Sequence, residues 1–150
     1  VSYVFPGTRY TTENLKWVWY DGEGAPKKHK DLILPNDEKL PDQGAIFIGD
    51  KGRLLLPHWD FPKLIVDGKY KKLDYPKLDK SDHYHQFVDA CLGKDKCSAP
   101  FSYASRLTET ILLGVIAGRF PNKVLHWNNE NAKFSEEEAN KFLESKYRDF

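Results

Sequence analysis

Gly44-Ala45-Ile46-Phe47-Ile48-Gly49-Asp50-Lys51-Gly52-Arg53-Leu54-Leu55-Leu56 is the stretch that decides the fold. Two apolar runs flank Gly49-Asp50-Lys51-Gly52, which is the pattern of an antiparallel hairpin. Asp50 and Lys51 suit a type I turn, and Gly52 can take the left-handed position of a following bulge. Ala45 and Phe47 fall on one side of the first strand, Ile46 and Ile48 on the other. Strands apolar on both sides call for cover on both faces of their sheet.

Outward from the hairpin, the N-terminal part also reads as strands. Val1, Tyr3 and Phe5 alternate with Ser2 and Val4 until Pro6-Gly7. Residues 15–20 alternate again, with Leu15, Trp17 and Trp19 on one side, until Asp21-Gly22. Residues 22–43 are polar and contain Pro26, Pro35 and Pro41. A loop of that length in a compact domain points to a functional loop or a partner contact. Downstream, residues 63–66 read as a short strand before Asp67-Gly68, and a loop with Pro76 leads away.

Helices then take over. Tyr84, Phe87, Val88, Cys91 and Leu92 mark one helical face, with Ser81 as its N-cap and Gly93 just beyond its end. Ser98 caps a second helix that tolerates Pro100 in its first turn and runs to about Arg119. Gly114 and Gly118 cost this helix ~1 kcal/mol each against Ala, and close packing against the sheet accounts for them. Residues 124–127 read as a last strand, and Ser135 with Glu138 as a capping box for a final helix through Ala139, Phe142 and Leu143. The expected fold is α+β: a mainly antiparallel open sheet, of five or more strands, with the helices packed on one face. The other face is left for a partner, most simply a second copy of the chain.

Composition bounds the function. A chain of 150 residues fits one domain. Its 23 basic and 22 acidic residues leave a formal charge of +1, which argues against nucleic acid as a partner. The densest basic run, Lys27-Lys28-His29-Lys30, reads as a solvated loop. No apolar run approaches the roughly 18 residues of a membrane span. Residues 1–5 carry no signal-peptide pattern and begin inside a strand, so a preceding segment is expected. Compartment stays open between cytoplasm and periplasm.

No catalytic set is self-contained in the sequence. There is no G-x-G-x-x-G after a strand, no Walker motif and no H-E-x-x-H, so neither a cofactor nor a metal is expected on this chain. Cys91 and Cys97 lack metal or redox spacing; they read as a buried thiol on a helix face or as a disulfide across the Gly93 turn. His83 and His85 stand two apart at a helix start and cannot chelate one ion. Arg106 and Glu109, three apart, read as a structural ion pair, as hydrogen-bonding partners of the sheet backbone, or as part of a substrate pocket. Trp17, Trp19 and Tyr20 read as packing residues, with stacking on a sugar as the functional alternative. The substrate-cleft candidates are therefore His85, Arg106, Glu109, Trp19 and Tyr20.

Four segments in order resemble one family. They are Trp19-Tyr20-Asp21-Gly22 with Pro26, then GAIFIGDKG at 44–52, then HYHQFVDACLG with PFSYASRLTETILLGVIAGR between 83 and 119. The fourth is KVLHW at 123–127 with EEEANKFLESKYRDF at 136–150. Together they are similar to the C-terminal domain of the Gfo/Idh/MocA oxidoreductases (glucose–fructose oxidoreductase, inositol dehydrogenase and relatives). Phe150, where the family often has Trp, and Asn128, where it often has Asp, depart from it. The resemblance implies a larger parent protein, whose N-terminal Rossmann domain binds NAD or NADP and packs beside this one. It implies hydride transfer to or from a sugar, polyol or derivative, and homo-oligomers formed through the sheet. The resemblance places the family's catalytic His, in a D-x-x-x-H helix, ahead of these residues, so no catalytic role is carried over and the isolated chain is expected to be inactive. Two other functions stay open: an NAD-dependent glycosidase of the same family, and a non-catalytic carbohydrate-binding or assembly module.

Overall fold

Three antiparallel sheets carry the strands of this computed structural model, which describes residues 1–24, 26, 29–78 and 82–145. β1 (Ser2–Pro6) pairs with β2 (Asn14–Val18). β3 (Gly44–Gly49), β4 (Gly52–Pro57), β5 (Lys63–Val66) and β6 (Lys69–Lys71) follow one another in a four-stranded open sheet. β7 (Trp127–Asn128) pairs with β8 (Lys133–Phe134). The helices are α1 (His83–Cys91), α2 (Phe101–Ala117) and the single turn α3 (Glu137–Asn140). The fold is α+β with open antiparallel sheets, as the order of strands and helices implies. The strands are divided among three sheets instead of joining one of five or more, because the chain forms two compact units with a core each: residues 21–80, and residues 1–20 with 81–150.

In the unit of residues 21–80 the hairpin forms as the sequence implies, with Ile46 opposite Leu55 and Phe47 opposite Leu54. Asp50 and Lys51 keep negative φ, as a type I turn requires. Gly52 has a different reason from the one expected. Its φ of +153° is not the left-handed bulge value, and an added Cβ would stand 2.5 Å from the Ile65 carbonyl oxygen. Glycine is there so that β5 can approach. The structure also adds β6 beyond the last strand read from this part of the sequence. Asp67 and Gly68 both have positive φ (52° and 70°), the two-residue turn that reverses the chain into a hairpin.

Register divides this sheet into two faces. Ile46, Leu55, Ile65 and Tyr70 lie on one, and Leu34 packs onto them. Burial of Leu55 and Ile65, 3% and 2% exposed, stabilises the unit by roughly 1.5–3 kcal/mol per side chain. The cover on this face is the long loop, not a helix. Its three short turns of 3₁₀ helix at Gly22–Gly24, Lys30–Leu32 and Pro35–Asp37 fold Leu34 and Pro35 inward. Arg53 Nη1 donates to the Asp31 carbonyl at 2.6 Å, and Tyr70 Oη to Glu38 Oε2 at 2.7 Å. Desolvation, then the Glu38 carboxylate, pushes the Tyr70 phenol up to about 12. Ala45, Phe47, Leu54, Leu56, Leu64 and Val66 share the opposite face.

In the other unit, β1 and β2 bring Tyr3, Phe5 and Trp17 together as stacked rings, with Tyr3 and Trp17 at 4.8 Å. The Tyr3 ring lies over Gly114 of α2, its Cζ 2.8 Å from where a Cβ would be. The glycine is thus explained by sheet packing, as the sequence implies. A second core joins Ile116, Phe134 and Ala139 with Leu113, Leu125 and Trp127. Several caps differ from expectation. Ser81 lies outside the described residues; Asp82 caps α1, accepting from the Tyr84 and His85 N–H groups at 3.0 Å. Gly93 does end the helix in left-handed conformation, φ +72°. Ser98 does not cap α2, since its N–H and Oγ both donate to Gln86 Oε1; Pro100 holds that position. The Ser135–Glu138 box does not form either. Glu138 turns to Lys123 and the Ser135 N–H to the His126 carbonyl, which leaves α3 one turn long.

Candidate functional site

The five candidate residues all lie in the unit of residues 1–20 and 81–150. Trp19 continues the aromatic ladder, edge-on to Trp17 at 5.7 Å, and its backbone pairs with Val1. Tyr20, the next residue, is exposed. His85 stands in the first turn of α1, its Nδ1 3.4 Å from Asp82 Oδ2. The N–H groups of the helix's first turn, His85 first, hold the Asp82 carboxyl below the usual carboxylate range. His85 is exposed beside this carboxylate cap.

Arg106 and Glu109 share α2, but they do not pair among the described residues. Glu109 Oε1 instead accepts the indole N–H of Trp127 at 3.0 Å, both groups being half-buried. Sequence spacing favours the i, i+3 partner, whereas the actual partner lies 18 residues away, out of reach of any local pattern. The indole in turn packs on Phe134 at 5.0 Å. Glu109 thus ties α2 to β7, and Arg106 stays exposed.

A second acid is spent nearby. Glu136 accepts from the His126 backbone N–H at 2.7 Å, and its Oε1 stands 2.7 Å from His126 Nδ1. The imidazole first, then that N–H, holds the Glu136 carboxyl below its ordinary range. Asn140 closes the same corner by bonding both the N–H and the carbonyl of Phe134. The result is a pinned β7–β8 corner, not a nucleophile with its base.

Cys91 is an exposed free thiol and Cys97 a partly exposed one, so neither the buried thiol nor the disulfide holds. The reason is that α1 has no buried residue, and its apolar face of Tyr84, Phe87, Val88 and Leu92 is exposed. Of the basic run, Lys27 and Lys28 lie outside the described residues; His29 Nδ1 accepts from the Asp31 N–H at 3.3 Å. Among the described residues no group of three metal-ligating side chains comes together, and no helix is long and apolar enough to cross a membrane.

Two further features belong to the unit of residues 21–80, the first implied by the alternation of residues 44–48 and the second not selected from the sequence. One is the apolar sheet face, on which Phe47 is 57% exposed. The other is a cleft of about 330 Å³ at the end of the β3–β4 hairpin, beside Trp59. Its signal in the sequence is His58-Trp59-Asp60, a large ring between polar residues directly after the strand-ending Pro57. Comparisons with known protein families, with curated proteins and with solved structures find no match to this chain.

Proposed function

We propose that this chain is the substrate-side and assembly half of a nicotinamide-dependent oxidoreductase of the Gfo/Idh/MocA type, acting on a sugar, polyol or derivative. One observation carries the reading: four family-like segments stand in the family's order. Two of them fold as the units such a domain needs. GAIFIGDKG forms a tight hairpin, and residues 101–117 form one continuous helix whose glycine receives an aromatic side chain from a strand. On this reading NAD or NADP belongs to a Rossmann domain encoded ahead of these residues. The candidates for the wall of the substrate cleft are Trp19, Tyr20, His85, Arg106 and Glu109. The gene's upstream coding sequence tests it. A glycine-rich strand–turn–helix and a D-x-x-x-H helix are expected there, and their absence would favour a binding module.

The same reading assigns the apolar sheet face to self-association. Ala45, Phe47, Leu54, Leu56, Leu64 and Val66 form an apolar strip on this face, with Lys69 and Lys71 at its β6 edge, and soluble monomers rarely expose more than roughly a few hundred Å² of apolar surface. A two-fold pair buries the same patch on both copies. Sedimentation equilibrium at micromolar protein is expected to give a dimer that Phe47→Glu dissociates. A concentration-independent monomer would sink the assignment.

A further inference from the structure

We propose that the cleft beside Trp59 is a saccharide-binding subsite, with the indole as its platform. The cleft lies between residues 41–43, which lead into β3, and residues 57–60, which leave β4. Its walls are fixed to one another. The His58 N–H donates to the Gln43 carbonyl at 3.1 Å, carrying the pairing of Gly44 with Pro57 one step further. Pro41 and Pro57 stiffen the two walls by fixing φ. A volume of about 330 Å³ is near the small end of ligand clefts and suits one sugar residue.

Trp59 is 91% exposed, so its ring is open to a ligand. The His58 imidazole stands edge-on to it at 4.6 Å and 86°. An indole carries a large apolar area, and leaving it in water forgoes more hydrophobic stabilisation than almost any other side chain would. Around it stand hydrogen-bonding groups. Asp60 is already engaged, accepting from the Phe61 N–H at 2.8 Å and pairing with Lys63 Nζ at 3.1 Å. Asp42 and Gln43 are exposed, and Asp42 has no ion-pair partner among the described residues.

That combination fits a pyranose. The ring's axial C–H face lies on the indole, and its hydroxyls donate to the Asp42 carboxylate and exchange hydrogen bonds with the Gln43 amide. A quaternary ammonium fits less well, because aromatic recognition of such cations uses a cage of several rings, and Lys63 already places a cation beside Asp60. The inference uses none of the residues on which the oxidoreductase reading rests, so either can fail alone.

Saturation-transfer NMR on the 150-residue chain tests it. The probes are methyl β-D-glucopyranoside, methyl β-D-galactopyranoside and methyl α-D-mannopyranoside at tens of millimolar. At least one should receive saturation, concentrated on the ring protons of a single face (H1, H3 and H5 in the glucoside). Trp59→Ala should weaken binding about tenfold, as removal of an aromatic anchor does, and Asp42→Asn severalfold. Tyr10→Ala, which removes an exposed ring of the other unit, should leave it unchanged. Because Trp59 is on the surface, its variant should keep the parent's circular dichroism spectrum. The proposal is overturned by any of four results: no transfer to any of the three glycosides, transfer unaffected by Trp59→Ala, transfer lost in Tyr10→Ala instead, or tighter binding of tetramethylammonium than of all three.

Discussion

Replacing Gly114 by alanine should destabilise the protein, although alanine is the better helix former. The helix preference alone favours the change by ~1 kcal/mol. Against it stands Tyr3, whose hydroxyl occupies the space of the new methyl and whose Cζ lies 2.8 Å from it. The ring has little freedom to retreat, being stacked on Trp17 at 4.8 Å with Phe5 beside it at 5.8 Å. Overpacking of this kind costs about 1–3 kcal/mol, and loosening the stack forfeits about 0.5–1.5 kcal/mol more. The net expectation is a loss of roughly 0.5–3.5 kcal/mol, taking these magnitudes together. Gly118→Ala on the same helix supplies the contrast. Its Cβ would meet nothing nearer than the Val115 carbonyl at 3.5 Å, so it should be neutral or stabilising by up to ~1 kcal/mol. Urea unfolding followed by tryptophan fluorescence reads both, since Trp17 reports on the stack. In a Tyr3→Val background the Gly114→Ala change should reverse sign, which a double-mutant cycle isolates. A Gly114→Ala protein as stable as its parent, or one whose loss persists without Tyr3, would refute the packing argument.

Other outcomes follow from the hydrogen bonds. Glu109→Ala should cost about 1–3 kcal/mol by leaving the half-buried Trp127 N–H unpaired, and Glu109→Gln less than half of that; equal losses in urea unfolding would contradict the assigned role. Asp82 and Glu136 have depressed folded-state values, so each contributes stability that is full above the unfolded carboxylate range and is lost as pH falls through the folded value. Acid titration of stability should therefore slope downward below about pH 4, and Asp82→Asn with Glu136→Gln should flatten it. Tyr70 works at the other end. Its raised value means stability that is full below about 10 and declines as pH rises towards about 12. Ultraviolet titration should show two late-titrating phenols, Tyr3 and Tyr70, of which only Tyr70 moves down in Glu38→Gln.

Legibility in the sequence followed the range of the interactions. The GAIFIGDKG hairpin rests on a two-residue turn and alternation, both local, and it was readable. So was Gly93, because a left-handed helix end has its own residue preference. The caps were less so. Asp82 and Ser81 are chemically equivalent candidates one residue apart, and Ser98 was drawn off by Gln86, 12 residues earlier. Glu109 found Trp127 through the fold, and Glu136 and Glu138 found His126 and Lys123 by the same route. Apolar patterning on residues 15–20, 44–48 and 53–56 implied a sheet but not its division. The division depends on which core each strand joins, and Leu34, inside a polar loop, supplies one of those cores.

The central claim is that this chain is one half of a nicotinamide-dependent oxidoreductase. Parallel calorimetric titrations with NAD⁺ and NADP⁺ test it most directly, one on the complete product of the gene and one on the 150-residue chain alone. The account predicts saturable micromolar binding of one nicotinamide by the complete product and none by the chain at millimolar cofactor. Binding by the chain alone, or by neither, would contradict it.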